Sequence, residues 1–250
     1  MVSESAGVTQ LVECDLAKVD VAGSNPVSRS NLPQPREPSI MRRAILLSAV
    51  IFLFCAHVSA QQYKSEPSGA PPSDLAPAIA GALDPQGTKI SKSDGTAVME
   101  IWFRKTAPSG PKNSGDAIAL PTIPVGAFLG VIKLDAKGED RRGQPLQPGL
   151  YTMRYVLMPS NGDHLGAAPQ RDFAALIPAA DDKDPNATPD LDATVKMSTK
   201  ASGSAHPAVL SMSNGSGSST FTKEAEHDWT LNTKMGDLPV SIILLGRVES

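Results

Sequence analysis

The stretch that decides the fold class is Thr88-Lys-Ile-Ser-Lys-Ser-Asp-Gly-Thr-Ala-Val-Met-Glu-Ile-Trp-Phe-Arg104. Its centre, Asp94-Gly95, lies between two runs of β-forming residues, and an Asp-Gly pair in that position is a strong signal for a hairpin turn. The second run, 98–103, is apolar and aromatic, which is typical of a strand in a core. We therefore predict a β-hairpin in which 88–91 pairs with 97–104.

Further strand-like runs follow the hairpin, separated by Pro, Gly and Ser. The predicted strands are 126–134, 150–158, 171–178, 209–212, 227–232 and 240–248. The segment 191–201 differs, because its acidic residues come first and its lysines last, the charge order that stabilises a helix dipole. Seven or eight strands with one short helix predict a mainly β protein, a single antiparallel β-sandwich over residues 87–250.

The segment 61–86 precedes the predicted domain and is rich in Pro, Ala, Gly and Ser. A chain of this composition buries little apolar surface to offset the entropy of ordering. We therefore predict a linker, with a short helical turn within 74–83. The prolines concerned are Pro67, Pro71, Pro72, Pro77 and Pro85.

Residues 41–60 have the order of a secretion signal. Arg42 and Arg43 supply the positive start, 44–56 the apolar centre, and Val58-Ser59-Ala60 a small-residue cleavage site, so we expect cleavage between Ala60 and Gln61. The apolar run is shorter than the roughly 20 residues that a membrane span needs. We expect a secreted or periplasmic protein with no stable membrane anchor after cleavage.

Residues 6–30 resemble the conceptual translation of a bacterial glycine transfer-RNA gene. Thr9-Gln-Leu-Val-Glu13 matches a translated D-arm, and Gly23-Ser-Asn-Pro26 matches a translated T-loop. The codons inferred for 14–20, between them, form a self-complementary arm around a glycine anticodon. The resemblance implies that Met41 is the true start and that 1–40 is a spurious, disordered extension. The alternative is a genuine N-terminal extension.

The charge balance of residues 61–250 narrows the possible partners. This part has 18 Lys and Arg against 21 Asp and Glu, with no dense basic run. We therefore expect no binding to nucleic acid and no attachment to an anionic membrane. Both cysteines, Cys14 and Cys55, lie upstream of the predicted cleavage site, so we expect no disulfide in the mature protein.

The segment 143–152 resembles the strand entry of many exported β-sandwich domains, in which a Pro-Gly turn, here Pro148-Gly149, delivers a Tyr-Thr strand. The wider stretch through 154–181 is similar to a group of uncharacterised secreted proteins of environmental bacteria. We assign the resemblance to the whole predicted domain, residues 87–250. It implies export and a β fold, and it implies no activity.

A possible metal site lies in the acidic segment after the strand at 171–178. Asp181, Asp182 and Asp184 offer the carboxylate oxygens that Ca²⁺ prefers, and His164 is a further candidate metal ligand. The segment is not an EF-hand, because the sixth and twelfth positions counted from Asp182 are Ala187 and Ala193. The alternative is a solvated acidic turn before the helix.

The histidines give the second hypothesis, a metal-dependent enzyme built from His164, His206, His227 and nearby carboxylates. They lack the paired spacing of common zinc motifs, and isolated histidines are usually surface residues. Arg171-Asp172 is a further site-like pair, since an Arg-Asp pair can orient a catalytic base. Its alternative is a local structural pair.

No serine-hydrolase elbow or phosphate-binding loop is present in the sequence. Our leading expectation is therefore a non-enzymatic binding or accessory module of the bacterial envelope, with an envelope protein or a small ligand as its partner. Its site is expected on loops at one end of the fold.

Overall fold

Ten strands form one continuous antiparallel sheet. The computed structural model describes residues 62–159, 168 and 170–247, all within the compact unit Ser59–Ser250. Its strands are β1 (Tyr63–Pro67), β2 (Thr88–Lys92), β3 (Ala97–Phe103), β4 (Phe128–Leu134), β5 (Gly138–Glu139), β6 (Pro145–Leu146), β7 (Gly149–Leu157), β8 (Asp172–Pro178), β9 (Val209–Asn214), β10 (Thr220–Lys223), β11 (Trp229–Met235) and β12 (Leu238–Leu245). Its helices are α1 (Pro77–Ala82) and α2 (Leu191–Ser202).

The strand order is β1-β2-β3-β4-β7-β8-β9-β12-β11-β10, while β5 and β6 form a separate small hairpin. The last four strands of the large sheet have Greek-key order, since β9 pairs with β12 and not with β10. The sheet is nearly closed into a barrel, with β1 and β10 as its two ends. The prediction of a mainly β, antiparallel fold is confirmed.

The hairpin predicted around Asp94-Gly95 is confirmed. Strands β2 and β3 pair with Ile90 opposite Met99. Gly95 has a φ of +90°, the left-handed conformation that glycine adopts without a Cβ clash, and its amide donates to Lys92 O over 2.9 Å. The Asp94 carboxylate accepts the Thr96 amide at 2.8 Å and so fixes the turn.

The core lies inside the curved sheet and is formed by every second residue of its strands. This alternation follows from strand geometry, since successive side chains point to opposite faces. Members of this interior core include Ile90, Ile101, Phe103, Ile132, Met153, Tyr155, Leu176, Leu210, Met212, Leu231 and Ile242.

The segment predicted to be a linker belongs to the fold, which corrects that prediction. Strand β1 pairs with β2 from Tyr63 to Pro67. Helix α1 buries Ile79 against Trp102 on the outer face of the sheet, which confirms the short helical turn. The average composition hides an apolar stripe at i, i+4 spacing, Leu75-Ile79-Leu83, and Pro77 suits the first turn of a helix, where no backbone donor is needed.

Helix α2 confirms the prediction for 191–201. The Asp190 carboxylate caps its start by accepting the Ala193 amide at 2.8 Å, and Gly203 ends it with a φ of +65°. The helix packs on the outer face of β8 and β7.

The predicted signal, the cleavage pair Ala60 and Gln61 and the predicted spurious extension 1–40 lie outside the described residues. Within the described ranges, no helix combines the length and the apolar character needed to cross a bilayer.

We predict that Ile79→Ala lowers the free energy of unfolding by about 2–5 kcal/mol, because it leaves a cavity in a fully buried cluster. Chemical denaturation checks this, with Ala78→Ser as the control on the exposed face of the same helix. An unchanged midpoint for Ile79→Ala would instead favour a linker at 61–86.

Candidate functional site

The candidate site is the seam where the sheet fails to close. Among the described residues, β1 has only β2 as a strand partner and β10 has only β11. The two end strands approach each other, and no described backbone hydrogen bond joins them. Their outer edges therefore face each other across a gap.

Aromatic packing closes one end of the seam. The ring of Tyr63, at the start of β1, packs edge-on against Trp229, with centroids 5.2 Å apart and planes at 77°. Trp229 also contacts the Phe221 ring, at 5.4 Å. Trp229 is the register partner of Lys223, the last residue of β10, so the start of β1 lies beside the end of β10.

The other end of the seam is open. Pro67, at the end of β1, and Ser219, just before β10, line the same cleft. Strands β1 and β10 therefore run antiparallel, in the direction that a closing ladder between them would require.

The free backbone groups of β1 follow from its ladder with β2. The Ser93 amide donates to Gln62 O at 3.1 Å, and the Ser68 amide donates to Gly87 O at 2.8 Å. Since hydrogen-bonding direction alternates along an antiparallel strand, even-numbered residues of β1 bond to β2. Tyr63, Ser65 and Pro67 therefore direct their backbone groups into the seam, and Pro67 offers only its carbonyl.

The free backbone groups of β10 follow in the same way from its ladder with β11. The Glu224 amide donates to Asp228 O at 3.0 Å, so even-numbered residues bond to β11. The backbone groups of Phe221 and Lys223 then face the seam from the opposite side.

The open end widens into a cleft of about 370 Å³. Its floor is apolar, because it is formed by Ile101 and Phe103 of the interior core, which are only 1% and 7% exposed. Its walls are mostly polar. The remaining lining residues are Ser65, Glu66, Pro67, Asp84, Gln86, Gly87, Thr88, Ser219, Thr233 and Lys234.

Three charged side chains surround this cleft. Glu66 forms an ion pair with Lys89 at 3.3 Å, and one oxygen of Asp84 accepts the Gln86 amide at 2.9 Å. The Lys234 side chain has no hydrogen bond or ion pair with any of the described residues. The cleft therefore offers polar groups of both charges above an apolar floor, and these groups can orient a polar ligand.

A second hollow, of about 480 Å³, lies between the β5–β6 hairpin and the end of β12. It is more open to solvent than the seam cleft. We therefore take the seam cleft as the candidate site.

The acidic segment that we predicted as a metal site is occupied by a buried ion pair. Arg154 of β7 is fully buried on the outer face of the sheet. Its Nε and Nη2 donate to the two oxygens of Asp182, each at 2.7 Å, and Thr152 Oγ1 donates to the same carboxylate at 2.7 Å.

All five guanidinium protons of Arg154 are satisfied. Besides Asp182, Nη1 donates to the carbonyls of Gly126 (2.8 Å) and Ala187, and Nη2 donates to Asp184 O (2.6 Å). Gly126 has a φ of +80°, and a Cβ there would lie 2.0 Å from Pro189 O. This position therefore requires glycine for its carbonyl to reach the arginine.

The other predicted calcium ligands have different partners. Asp181 forms an exposed ion pair with Lys200 at 3.1 Å, while Asp184 accepts the Asn186 amide at 2.9 Å. His164 lies outside the described residues. No group of three or more candidate ligands is found within the described ranges, and the calcium site stays a prediction.

The two described histidines of the enzyme hypothesis lie on different connections. His206 is exposed between α2 and β9, and its amide donates to Ser204 Oγ at 3.1 Å. His227 is exposed between β10 and β11.

Asp172 has a structural role in the described part of the protein. It is fully buried, and its carboxylate accepts the amides of Ala119 and Leu120 at 2.8 Å and the Tyr155 hydroxyl at 2.6 Å. Burial, reinforced by the Asp172 carboxylate, raises the pKa of Tyr155 well above its usual value, so this hydroxyl stays protonated as a donor. Arg171 donates from Nε to Met158 O at 2.6 Å.

The sequence reasoning missed both strands that border the seam. Strand β1 lies in the segment predicted as a linker, and β10 was not predicted. The available signals were short, with one aromatic residue in each strand, Tyr63 and Phe221.

Comparisons with protein-family models, with curated proteins and with solved structures found no match to this chain.

We predict that Asp182→Ala lowers the free energy of unfolding by about 3–5 kcal/mol, because it leaves the Arg154 charge buried without its counter-ion. Asp181→Ala is the matched control, and its exposed pair with Lys200 is expected to contribute less than about 1 kcal/mol. Denaturation of both variants checks this. Equal losses would show that the Asp182 pair contributes no more than a surface pair.

Proposed function

We propose that this chain is an exported, non-enzymatic binding or accessory module of the bacterial envelope, and that its ligand enters the seam cleft. The observation that carries the proposal is the cleft itself, where the free edges of two strands and a polar wall surround an apolar floor. We further propose a sandwich-like arrangement, with opposite walls of the one sheet as its two layers.

Export is supported by the order of features in 41–60, a positive start, an apolar centre and a small-residue cleavage site. The described fold begins at Tyr63, close to the proposed cleavage after Ala60. The mature chain would then enter β1 almost at once.

Binding is supported by the chemistry of the cleft. Polar groups above an apolar floor orient a ligand and bury part of its surface. Its volume suits a small polar molecule or a few residues of an envelope protein.

We predict that the chain starting at Met41, carrying a C-terminal tag, is exported by a Gram-negative host and acquires Gln61 as its N-terminus. Replacing both Arg42 and Arg43 with Glu is expected to block export, because a signal needs a positive start. Cell fractionation and N-terminal sequencing measure both results. Lys64→Glu, downstream of the proposed cleavage site, is the control, and an unprocessed cytoplasmic product of the unaltered chain from Met41 would contradict export.

We predict that Ser219→Trp, which fills the mouth of the cleft, abolishes ligand binding. A thermal-shift screen with amino acids, short peptides and saccharides is expected to raise the Tm of the wild type for at least one class and not that of the variant. Ser216→Trp, an exposed loop residue outside the cleft lining, is the matched control. Equal shifts in both variants would place binding elsewhere, and no shift in the wild type would contradict the proposed function.

A further inference from the structure

We infer that the seam binds an extended polypeptide segment of a partner protein, which inserts as an additional strand between β1 and β10. This inference rests on the proposed function, because it names the ligand class of the same cleft. It follows from the two strand edges, the closed end of the seam and the side chains that an inserted strand would meet.

The backbone chemistry of the seam favours an extended polypeptide. Towards the open end, Ser65 presents an amide and a carbonyl on one side and Phe221 presents its own on the other, whereas Lys223 lies at the closed end beside Tyr63. A row of unpaired strand groups is a template for another strand, since an extended main chain repeats its donors and acceptors at the matching interval. A saccharide or an amino acid lacks this repeat.

The shape of the seam limits which kind of polypeptide can enter it. The two free edges face each other, and the Tyr63–Trp229 contact holds them together at one end. An edge strand of another folded sheet carries its neighbours with it and cannot enter such a gap. A second folded copy of this chain is therefore a poor occupant, whereas an isolated extended segment fits.

Edge composition argues against self-association as well. Lys64 and Glu66 place charges on exposed positions of β1, and Pro67 removes a donor at its end. Such residues discourage edge-to-edge pairing between copies of a protein. The donor and acceptor of Ser65 remain available to a segment that enters from the open end.

The two faces of the seam predict the side-chain pattern of the partner segment. Side chains of an inserted strand alternate between the apolar floor, formed by Ile101 and Phe103, and solvent near Glu66 and Lys234. We expect apolar residues at the inward positions and polar residues at the outward ones. Proline is disfavoured where the segment must donate to Ser65 O.

The test is selection of a random octapeptide display library on the full chain, followed by affinity measurement of the enriched peptides. We expect alternating, proline-poor sequences. Ser65→Pro, which removes the seam-facing amide, should weaken their binding by about three- to tenfold, the value of one net hydrogen bond. Pro67→Ala, which adds a seam-facing amide, should strengthen it.

Two controls separate this effect from loss of folding. Lys64→Ala changes an exposed side chain whose backbone bonds to β2, and it should leave the affinity unchanged. On the unaltered protein, N-methylation of the peptide amide that pairs with Ser65 O should weaken binding by a similar factor. The N-methyl peptide keeps the test decisive if Ser65→Pro does not fold.

Strand addition would be overturned if the selected peptides bind Ser65→Pro as tightly as the unaltered protein and if their N-methylated forms bind as tightly as the parent peptides. A seam-dependent dimer of the free protein would also overturn it and identify a second copy as the occupant. If the library yields no binder while a saccharide or amino acid shows Ser219-dependent binding, the inference fails and the proposed function stands. If no class binds the cleft, the proposed function fails with it.

Discussion

The described fold depends on the buried guanidinium of Arg154. A charge removed from water costs several kcal/mol unless its partners are well placed, so all five of its donors require acceptors in fixed positions. Asp182, Gly126, Asp184 and Ala187 supply them. The requirement holds the segment after β8 against the outer face of β7 and β4, just before α2 begins. The connection between β8 and α2 is thereby packed against the outer face of the sheet.

The sheet that Arg154 stabilises in its middle does not close at its two end strands, β1 and β10. Among the described residues, the nine pairs of neighbouring strands form ladders, and β1 and β10, which would close the sheet, do not pair. Aromatic packing of Tyr63 on Trp229 keeps these strands close, while Pro67 lacks the donor that a full ladder would use. Proximity without pairing creates a gap whose groups can bind another strand. The binding proposal thus arises from incomplete closure, and no cluster of reactive side chains is required.

Core strands with a neighbouring strand on each side were easier to predict from the sequence than the two strands at the ends of the sheet. Strands β3, β4, β7 and β8, each paired on both sides, appear in the sequence as apolar runs, and the Asp-Gly turn located the first hairpin. Strands β1 and β10 each carry one aromatic residue among polar ones, too few for a periodic signal. The role of Arg154 was also invisible, because its partner Asp182 is 28 residues away and only the fold brings them together.

Within the ten-stranded sheet, the two strands that were not predicted are therefore the two that border the candidate site. An edge strand must be short and polar, or interrupted by proline, if copies of the protein are to avoid pairing with one another. These properties remove the alternating apolar pattern by which strands are recognised. A site formed by free edges consequently lies where the sequence carries little structural signal. The acidic segment shows the converse, since Asp181, Asp182 and Asp184 are conspicuous in sequence, while the carboxylate of Asp182 already neutralises a buried arginine.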